Sequence, residues 1–338
     1  MRRLLRDLFY GALHAARCTG WARHRRGLHV PVLFYHGVSA ERVGGVMNCE
    51  KKHVYAGDFE KHLSFLKRFY NPVPLSEYAA ALRSGVPMRP HSVVVTFDDG
   101  YENNYRAAFP LLKKYGVPAT LYLATEFVES GEMLWFDRLA CAFAATKAQR
   151  FESPVESGSW PLRGEAEMTA CYLRTKKRLK ALPDARRREI LDKICRELLG
   201  AQRPDAPALF APLKKEQIRE MVRSGLIDIG SHSLGHPILT AVSAQEARAE
   251  IAESKKRASG LSGLEAQSFS YPNGAYSAEL MRLVEEAGYD SAVAVGLRVN
   301  PPAGVSPYAI DRVALAEGDT TAVIASTLCG IREKFIAG

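Results

Sequence analysis

The sequence predicts an α/β fold built around a mainly parallel sheet, and three observations predict it. Short apolar, β-branched runs alternate with amphipathic helical stretches along most of the 338 residues, the pattern of repeated strand–helix units. A chain of this length buries a sizeable core and needs neither disulfides nor a structural metal to fold. Polar clusters recur just beyond the apolar runs, at His36, Asp98-Asp99, His232/His236 and Pro272-Asn273-Gly274. Open sheets and closed barrels alike carry their sites there, at the carboxyl ends of strands.

The first element is a basic amphipathic segment over residues 1–28. Arg2, Arg3, Arg6, Arg17, Arg23, Arg25 and Arg26 face a single acid, Asp7, so most of the net charge of +9 sits in the first 26 residues. Leu4, Leu5, Leu8, Phe9, Ala12, Leu13 and Ala16 recur at helical spacing. The apolar runs are too short for a membrane span. An uninterrupted apolar stretch with a small-residue cleavage site, the mark of a secretory signal, is missing. Two readings stay open, because periodicity does not say what a stripe faces. Residues 1–26 lie on an anionic membrane surface, or they pack on the body. The rest of the chain is nearly neutral, which excludes a basic nucleic-acid binder.

Residues 29–338 read as one domain. Val30 to His36 is a short strand with a polar tip. Residues 57–70 are a helix with Phe59, Leu63, Leu66 and Tyr70 on one face, and Leu75 to Ser84 is another. Ser92 to Phe97 is a buried strand that stops at Asp98-Asp99-Gly100. A helix through Ala108, Leu111 and Leu112 stops at Gly116, and Ala119 to Thr125 is the next strand. About 130–215 breaks the rhythm with a charged helical insertion opening at Leu134-Trp135-Phe136-Asp137. The alternation then resumes: a helix at 216–225, a strand from Ile227 to Ser231, and a long helix opened by the capping box Ser243-Ala-Gln-Glu246. A strand from Ser268 to Tyr271, a helix from Ser277 to Ala287, strands at Ser291–Val295 and Asp311–Leu315 and a helix over 320–336 complete it. The six cysteines (Cys18, Cys49, Cys141, Cys171, Cys195, Cys329) are scattered with no C-x-x-C, so they read as reduced thiols of a reducing compartment. The expected location is cytoplasmic, peripheral on the inner membrane face.

The polar clusters suggest one chemistry. Two adjacent carboxylates beyond a buried strand are costly unless a cation neutralises them. Asp98-Asp99 can divide the work, one binding metal and the other acting as base. Spacing of i,i+4 puts His232 and His236 on one side of a helical turn, within reach of one ion. Two His and a carboxylate leave coordination positions open, which suits hydrolytic zinc, and also cobalt, nickel or iron. Such an ion polarises a carbonyl and acidifies water, so amide or ester hydrolysis is the natural reaction class.

Thr96-Phe-Asp-Asp-Gly100, His232-Ser-x-x-His236 and Phe269-Ser-Tyr-Pro-Asn-Gly274 resemble, in that order, the motifs of the polysaccharide deacetylase family, which carries the NodB homology domain (carbohydrate esterase family 4). The resemblance covers about residues 30–315. It implies a distorted (β/α)7-type barrel with a helical insertion and an N-terminal amphipathic helix. It implies Asp98 as general base, Asp99, His232 and His236 as metal ligands, the backbone N–H of Asn273 after Tyr271 and Pro272 as oxyanion donor, and Ser233 as a helper within the histidine loop. Two positions depart from the family. Ser270 stands where an Arg usually orients the base, and Arg312 is the expected substitute. The chain has no His after His236 to serve as the usual late acid. Val32-Leu-Phe-Tyr-His36 resembles the early Tyr-His motif of the exopolysaccharide-type branch, which implies His36 as acid, since protonation near neutral pH suits His. Trp135, with Phe136 beside it, is a candidate sugar-docking aromatic, although a Trp-Phe pair more often belongs to the core. The implied substrate is an N-acetylated glycan or lipid-linked sugar precursor. An O-deacetylase or amino-sugar deformylase with the same metal, and a glycan-binding protein without activity, are the alternatives.

Overall fold

The computed structural model describes residues 2–200 and 207–333. The chain opens with two helices, α1 (Arg2–Ala15) and α2 (Cys18–Arg25), and then enters the sheet with β1 (Val32–Tyr35). A small parallel pair, β2 (Gly37–Ser39) and β3 (His53–Tyr55), precedes α3 (Ala56–Phe69), and β4 (Asn71–Pro72) leads to α4 (Leu75–Ser84). Next come β5 (Ser92–Phe97), α5 (Phe109–Tyr115), β6 (Ala119–Leu123) and α6 (Thr125–Ser130).

The insertion holds α7 (Trp135–Ala145), an antiparallel hairpin of β7 (Arg150–Glu152) and β8 (Ser159–Pro161), then α8 (Glu165–Lys180) and α9 (Asp184–Leu199). The barrel resumes with α10 (Lys215–Arg223), β9 (Ile227–Ser231), α11 (Ala244–Ser262), β10 (Ser268–Ser270), α12 (Ala278–Glu286), β11 (Ser291–Val293), β12 (Val313–Ala314) and α13 (Thr321–Leu328).

Seven strands form a curled parallel sheet in the order β11-β10-β9-β6-β5-β1-β12, with β4 beside the start of β5. The composition of the runs suits a sheet covered on both faces. Strands covered on both faces read as continuous apolar stretches, and Ser92–Phe97 is buried at every position. Register is tight at the centre: Phe34 lies opposite Thr96, Thr96 opposite Thr120, and Leu121 opposite Ile229. One segment bridges the two edges. The N–H of Ile310 donates to Ala292 O and that of Ala294 to Ile310 O, while Val313 pairs with Leu33. The sheet is thus a distorted (β/α)7 barrel. The strand expected over 311–315 shortens to Val313–Ala314: the Asp311 N–H donates to Asn300 Oδ1 and Arg312 O accepts from Leu297 N–H, outside the ladder.

Three expectations need adjustment. The β7–β8 hairpin is absent from the sequence reading, because three-residue half-polar strands carry too little periodicity to register. The insertion has its own core of Leu139, Phe143, Phe151, Tyr172, Leu191 and Ile194, and 201–206, inside the expected 130–215, lie outside the described residues. The last helix ends at Leu328, and 334–336 of the expected 320–336 also lie outside them. At the other end α1 packs on α13 through Tyr10, against Ala322 and Val323, with Leu13 beside them. Among the described residues no helix is long and apolar enough to cross a membrane. None of the six cysteines is in a disulfide.

Candidate active site

The strand ends deliver the polar clusters to one place. The N–H of Asp98 continues the β-ladder by donating to Tyr35 O at 2.9 Å. Asp99 and Gly100 then take left-handed conformations, with φ of 74° and 94°. The reversal aims the adjacent carboxylates at different partners. At Gly100 a Cβ would meet Val128 Cγ2 at 3.0 Å and Leu123 Cδ2 at 3.1 Å, so the turn requires glycine on both counts.

His232 continues β9, its N–H donating to Leu123 O at 2.8 Å. The segment 232–236 is not the helical turn the spacing suggests. Ser233 and His236 have φ of 63° and 56°, and the amides a helix would pair internally are captured elsewhere. Ser233 Oγ accepts from His236 N–H at 3.0 Å, and the Glu250 carboxylate accepts from Leu234 and Gly235 N–H at 2.8 and 3.0 Å. Side-chain acceptors of this kind compete with helix for the backbone. The two imidazoles nevertheless meet, with ring centroids 4.7 Å apart.

Asp99, His232 and His236 are buried, and a ligand atom of each lies within 4.8 Å of the others. Asp99 Oδ1 is 3.6 Å from His232 Nε2 and 3.5 Å from His236 Nε2. Neither Asp99 oxygen has a hydrogen-bond partner among the described residues. An uncompensated buried carboxylate is strongly disfavoured. Burial pushes the Asp99 carboxyl up to about 7, Lys52 opposing and Asp98 and Asp137 adding to the rise. Burial likewise pushes both imidazoles down, keeping their lone pairs free. His232 Nδ1 sits 2.7 Å from Ser270 O, the second partner that fixes the tautomer and turns Nε2 toward Asp99. Two neutral imidazoles beside an orphaned carboxylate fit a divalent cation, with positions left for water and substrate.

Asp98 has the opposite environment. Arg312 grips it through two bonds, Nη1 to Oδ1 at 2.7 Å and Nη2 to Oδ2 at 2.8 Å. The guanidinium is itself held by Ala294 O, Thr96 Oγ1 and Ser270 Oγ at 3.1, 3.1 and 3.0 Å. Ser270 Oγ also donates to Asp98 Oδ1 at 3.3 Å. With Ser at 270, the side chain that grips Asp98 is Arg312, from just before β12. Burial raises the Asp98 carboxyl, but Arg312, with His232 assisting, outweighs it and holds the group below the usual carboxylate range.

His36 lines the same cavity of about 240 Å³. Its ring does not hold a proton near neutral pH, contrary to expectation. Burial pushes it down to about 3, only partly opposed by Asp98. Asn273 stands at the cavity edge with φ 60°, and its Oδ1 accepts from Lys180 Nζ at 2.6 Å. Tyr271 does not line the cavity, contrary to its expected place beside the substrate: it is buried in a separate core cluster, its OH donates to Tyr308 O at 3.0 Å, and its ring stacks on Tyr276. Pro272 is buried beside it and is likewise not among the cavity-lining residues. The strand's alternation decides this, since Ser270 faces the site and Tyr271 the other side. Trp135 lines the cavity and a neighbouring one, its ring 5.0 Å beneath the Arg187 guanidinium.

The sequence reading missed the rim. Lys52 donates to Asp137 at 2.8 Å and lies 3.8 Å over the Phe136 ring. Phe136 in turn meets His236 edge-on at 5.3 Å. Lys176 pairs with Glu50, and Lys180 reaches Asn273. Lys176 and Lys180 are one helical turn apart within a run of charges, and in sequence they look like a solvated face.

The family model described as Polysaccharide deacetylase matches residues 85–292. A Bacillus subtilis protein bearing the name polysaccharide deacetylase YxkH is 23% identical over 304 residues, 89% of this chain and 76% of that protein. The poly-beta-1,6-N-acetyl-D-glucosamine N-deacetylase of Escherichia coli K12 is 42% identical over 50 residues, 15% of this chain and only 7% of its own length. Among solved structures, the Streptococcus pyogenes deacetylase PplD in complex with acetate superposes with a TM-score of 0.59 at 17% identity, covering 89% of this chain and 99% of that one.

Proposed function

The chain belongs to the polysaccharide deacetylase family, and from that premise we propose a metal-dependent hydrolase that removes N-acetyl groups from amino sugars of a polysaccharide, oligosaccharide or lipid-linked glycan precursor. The observation that carries this reading is the orphaned Asp99 carboxylate between two neutral imidazoles, beside a second carboxylate clamped by Arg312. The name of the Escherichia coli relative, an N-deacetylase, favours the amide bond.

Asp99, His232 and His236 would hold the ion, zinc above all. Such an ion supplies Lewis acidity, polarising the acetyl carbonyl and acidifying water. Asp98 is ionised at rest and takes the proton of the attacking water. Arg312 keeps that carboxylate in one orientation with a two-point grip. The backbone N–H of Asn273 steadies the oxygen on which charge develops, and Lys180 holds the Asn273 side chain at the rim. The leaving nitrogen needs a proton. His36 is neutral at rest, so it acts as acid only after receiving the proton that Asp98 took up. Trp135 offers an apolar ring face to a sugar. Ser233 keeps the histidine loop in its left-handed shape.

Acetate release from N-acetylated oligosaccharides tests this reading. Chelated protein should release none, and added zinc should restore release. Metal-independent release, or zinc-loaded protein that frees acetate only from O-acetylated sugars, would overturn it.

A further inference from the structure

Eleven large hydrophobic side chains are well exposed among the described residues, and six of them lie in the first 28 residues. The inner face of α1 is fully engaged. Tyr10 is buried on α13, Arg6 pairs with Asp319 at 3.1 Å, and Arg3 donates to Gly318 O at 2.7 Å. Opposite them, Leu4, Leu5 and Leu8 are 65%, 60% and 62% exposed, and Ala12 continues the stripe. Trp21 on α2 is 65% exposed. A helix that only packed on the body would have no need of a second apolar face.

Asp7 is the only acid among the described residues of α1 and α2, and Arg6 pairs with it. Arg25 lies 5.3 Å over Trp21, and Arg23 lies 4.8 Å over Phe69. A cleft of about 480 Å³ between α2 and α3 is lined by His14, Arg17, Trp21, Arg23, Phe65 and Phe69. Cations stacked on aromatics beside exposed leucines match a surface that is anionic above and apolar beneath. That is a bilayer, and its cytoplasmic leaflet carries the matching negative potential.

We propose that α1 and α2 seat the protein on an anionic lipid bilayer, with Leu4, Leu5 and Leu8 in the acyl boundary and Arg17, Arg23 and Arg25 among the phosphates. The start of α1 lies at the catalytic end of the barrel, whereas α2 reaches the opposite end, where Arg23 covers Phe69 at the close of α3 and Gly27 O accepts from His91 N–H ahead of β5. Arg3 contacts the loop after β12, the Glu317 carboxylate of that loop meets Arg42 and Lys51, and Lys52 lines the catalytic cavity. The docking rests on the faces of α1 and α2 and is independent of the hydrolase reading above.

Sedimentation of the full chain with phosphatidylcholine vesicles, with and without about 30% phosphatidylglycerol, tests the docking without any substrate. The protein should pellet with the anionic vesicles, and binding should fall about tenfold or more between about 0.1 and 0.5 M salt. The double variant Leu5→Ser/Leu8→Ser should lose binding while releasing acetate from a soluble oligosaccharide as before. Equal pelleting of that variant, or a wild-type chain that stays in solution with anionic vesicles, would overturn the proposal. So would a dimer by light scattering that the double variant abolishes, since the stripe would then seat a second copy. Docking without acetate release would leave the anchor standing and remove only the hydrolase reading.

Discussion

The floor and the rim of the catalytic cavity are built from different kinds of chain. His36, the Asp98-Asp99 pair, His232 and Arg312 come from four separate stretches of the sequence, yet each falls just beyond the end of a barrel strand or, for Arg312, just before the closing strand β12. Parallel register brings them together, so their positions are as fixed as the sheet. The rim comes from the loop carrying Glu50 and Lys52 and from an insertion with its own apolar core. Floor and rim meet through Phe136 against His236, Lys180 against Asn273, and the buried bond that Tyr101 OH donates to Asp137 at 2.6 Å. The difference teaches that the chemistry is tied to the fold, while selection of substrate can vary without disturbing it.

The largest test breaks the floor. His232→Ala removes a metal ligand whose other nitrogen is already committed to Ser270 O. Turnover should drop by about three orders of magnitude, roughly 4 kcal/mol of barrier, with zinc content falling in parallel and circular dichroism unchanged. Turnover within tenfold of wild type would mean that the reaction does not pass through this set of residues.

Arg312→Met comes next, because it separates the two roles of the floor. It leaves Asp98 buried without its cation, so unfolding free energy should fall by about 3–5 kcal/mol. Turnover should fall about a hundredfold. The Asp98 carboxyl, no longer held down by Arg312, should rise, moving the acid limb of the rate profile to higher pH. An acid limb that stays in place would show that the limb does not belong to Asp98.

At the rim the effect is smaller and of another kind. Lys180→Met loses the bond to Asn273 Oδ1 but touches no metal ligand. KM for a glycan should rise about tenfold, near the value of one charge-assisted hydrogen bond, with kcat and zinc content unchanged. A fall in kcat at constant KM would move Lys180 from the rim into the chemistry, acting through Asn273.

The same division explains what could be read from the sequence. The strands at Ser92–Phe97 and Ile227–Ser231 and the helices at Leu75–Ser84 and Ser277–Ala287 were legible because long periodic or wholly apolar runs, with caps and glycine stops, fix such elements locally. The residues of the floor were legible because they follow those runs directly. The helical turn at 232–236 was misread because spacing alone ignores Glu250, which lies far along the chain and captures the loop amides. Tyr271 was misplaced because a motif names residues without saying which way each one faces. The resting charge of His36 depends on burial, which no pattern reports. Lys176, Lys180 and Glu50 escaped because their meaning is given only by the cavity they surround.

Acid stability gives the smallest difference and the finest comparison. His36 titrates near 6.5 when unfolded and near 3 in the fold, where burial disfavours its charge. Between those values the unfolded state binds a proton that the native state refuses, so stability is complete above about pH 6.5 and is lost as the pH falls. One such group contributes a slope of at most about 1.4 kcal/mol per pH unit, reduced because one edge of the ring meets the open cavity. His36→Gln should flatten the dependence of the urea midpoint on pH between 6.5 and 4.5 by up to one proton, measured with chelator so that metal loss plays no part. Lys180→Met leaves His36 in place and is the control, expected to keep the wild-type slope. If both variants and the wild type share one slope, the floor does not hold His36 neutral, and its part in passing a proton to the leaving nitrogen would have to begin from the charged form.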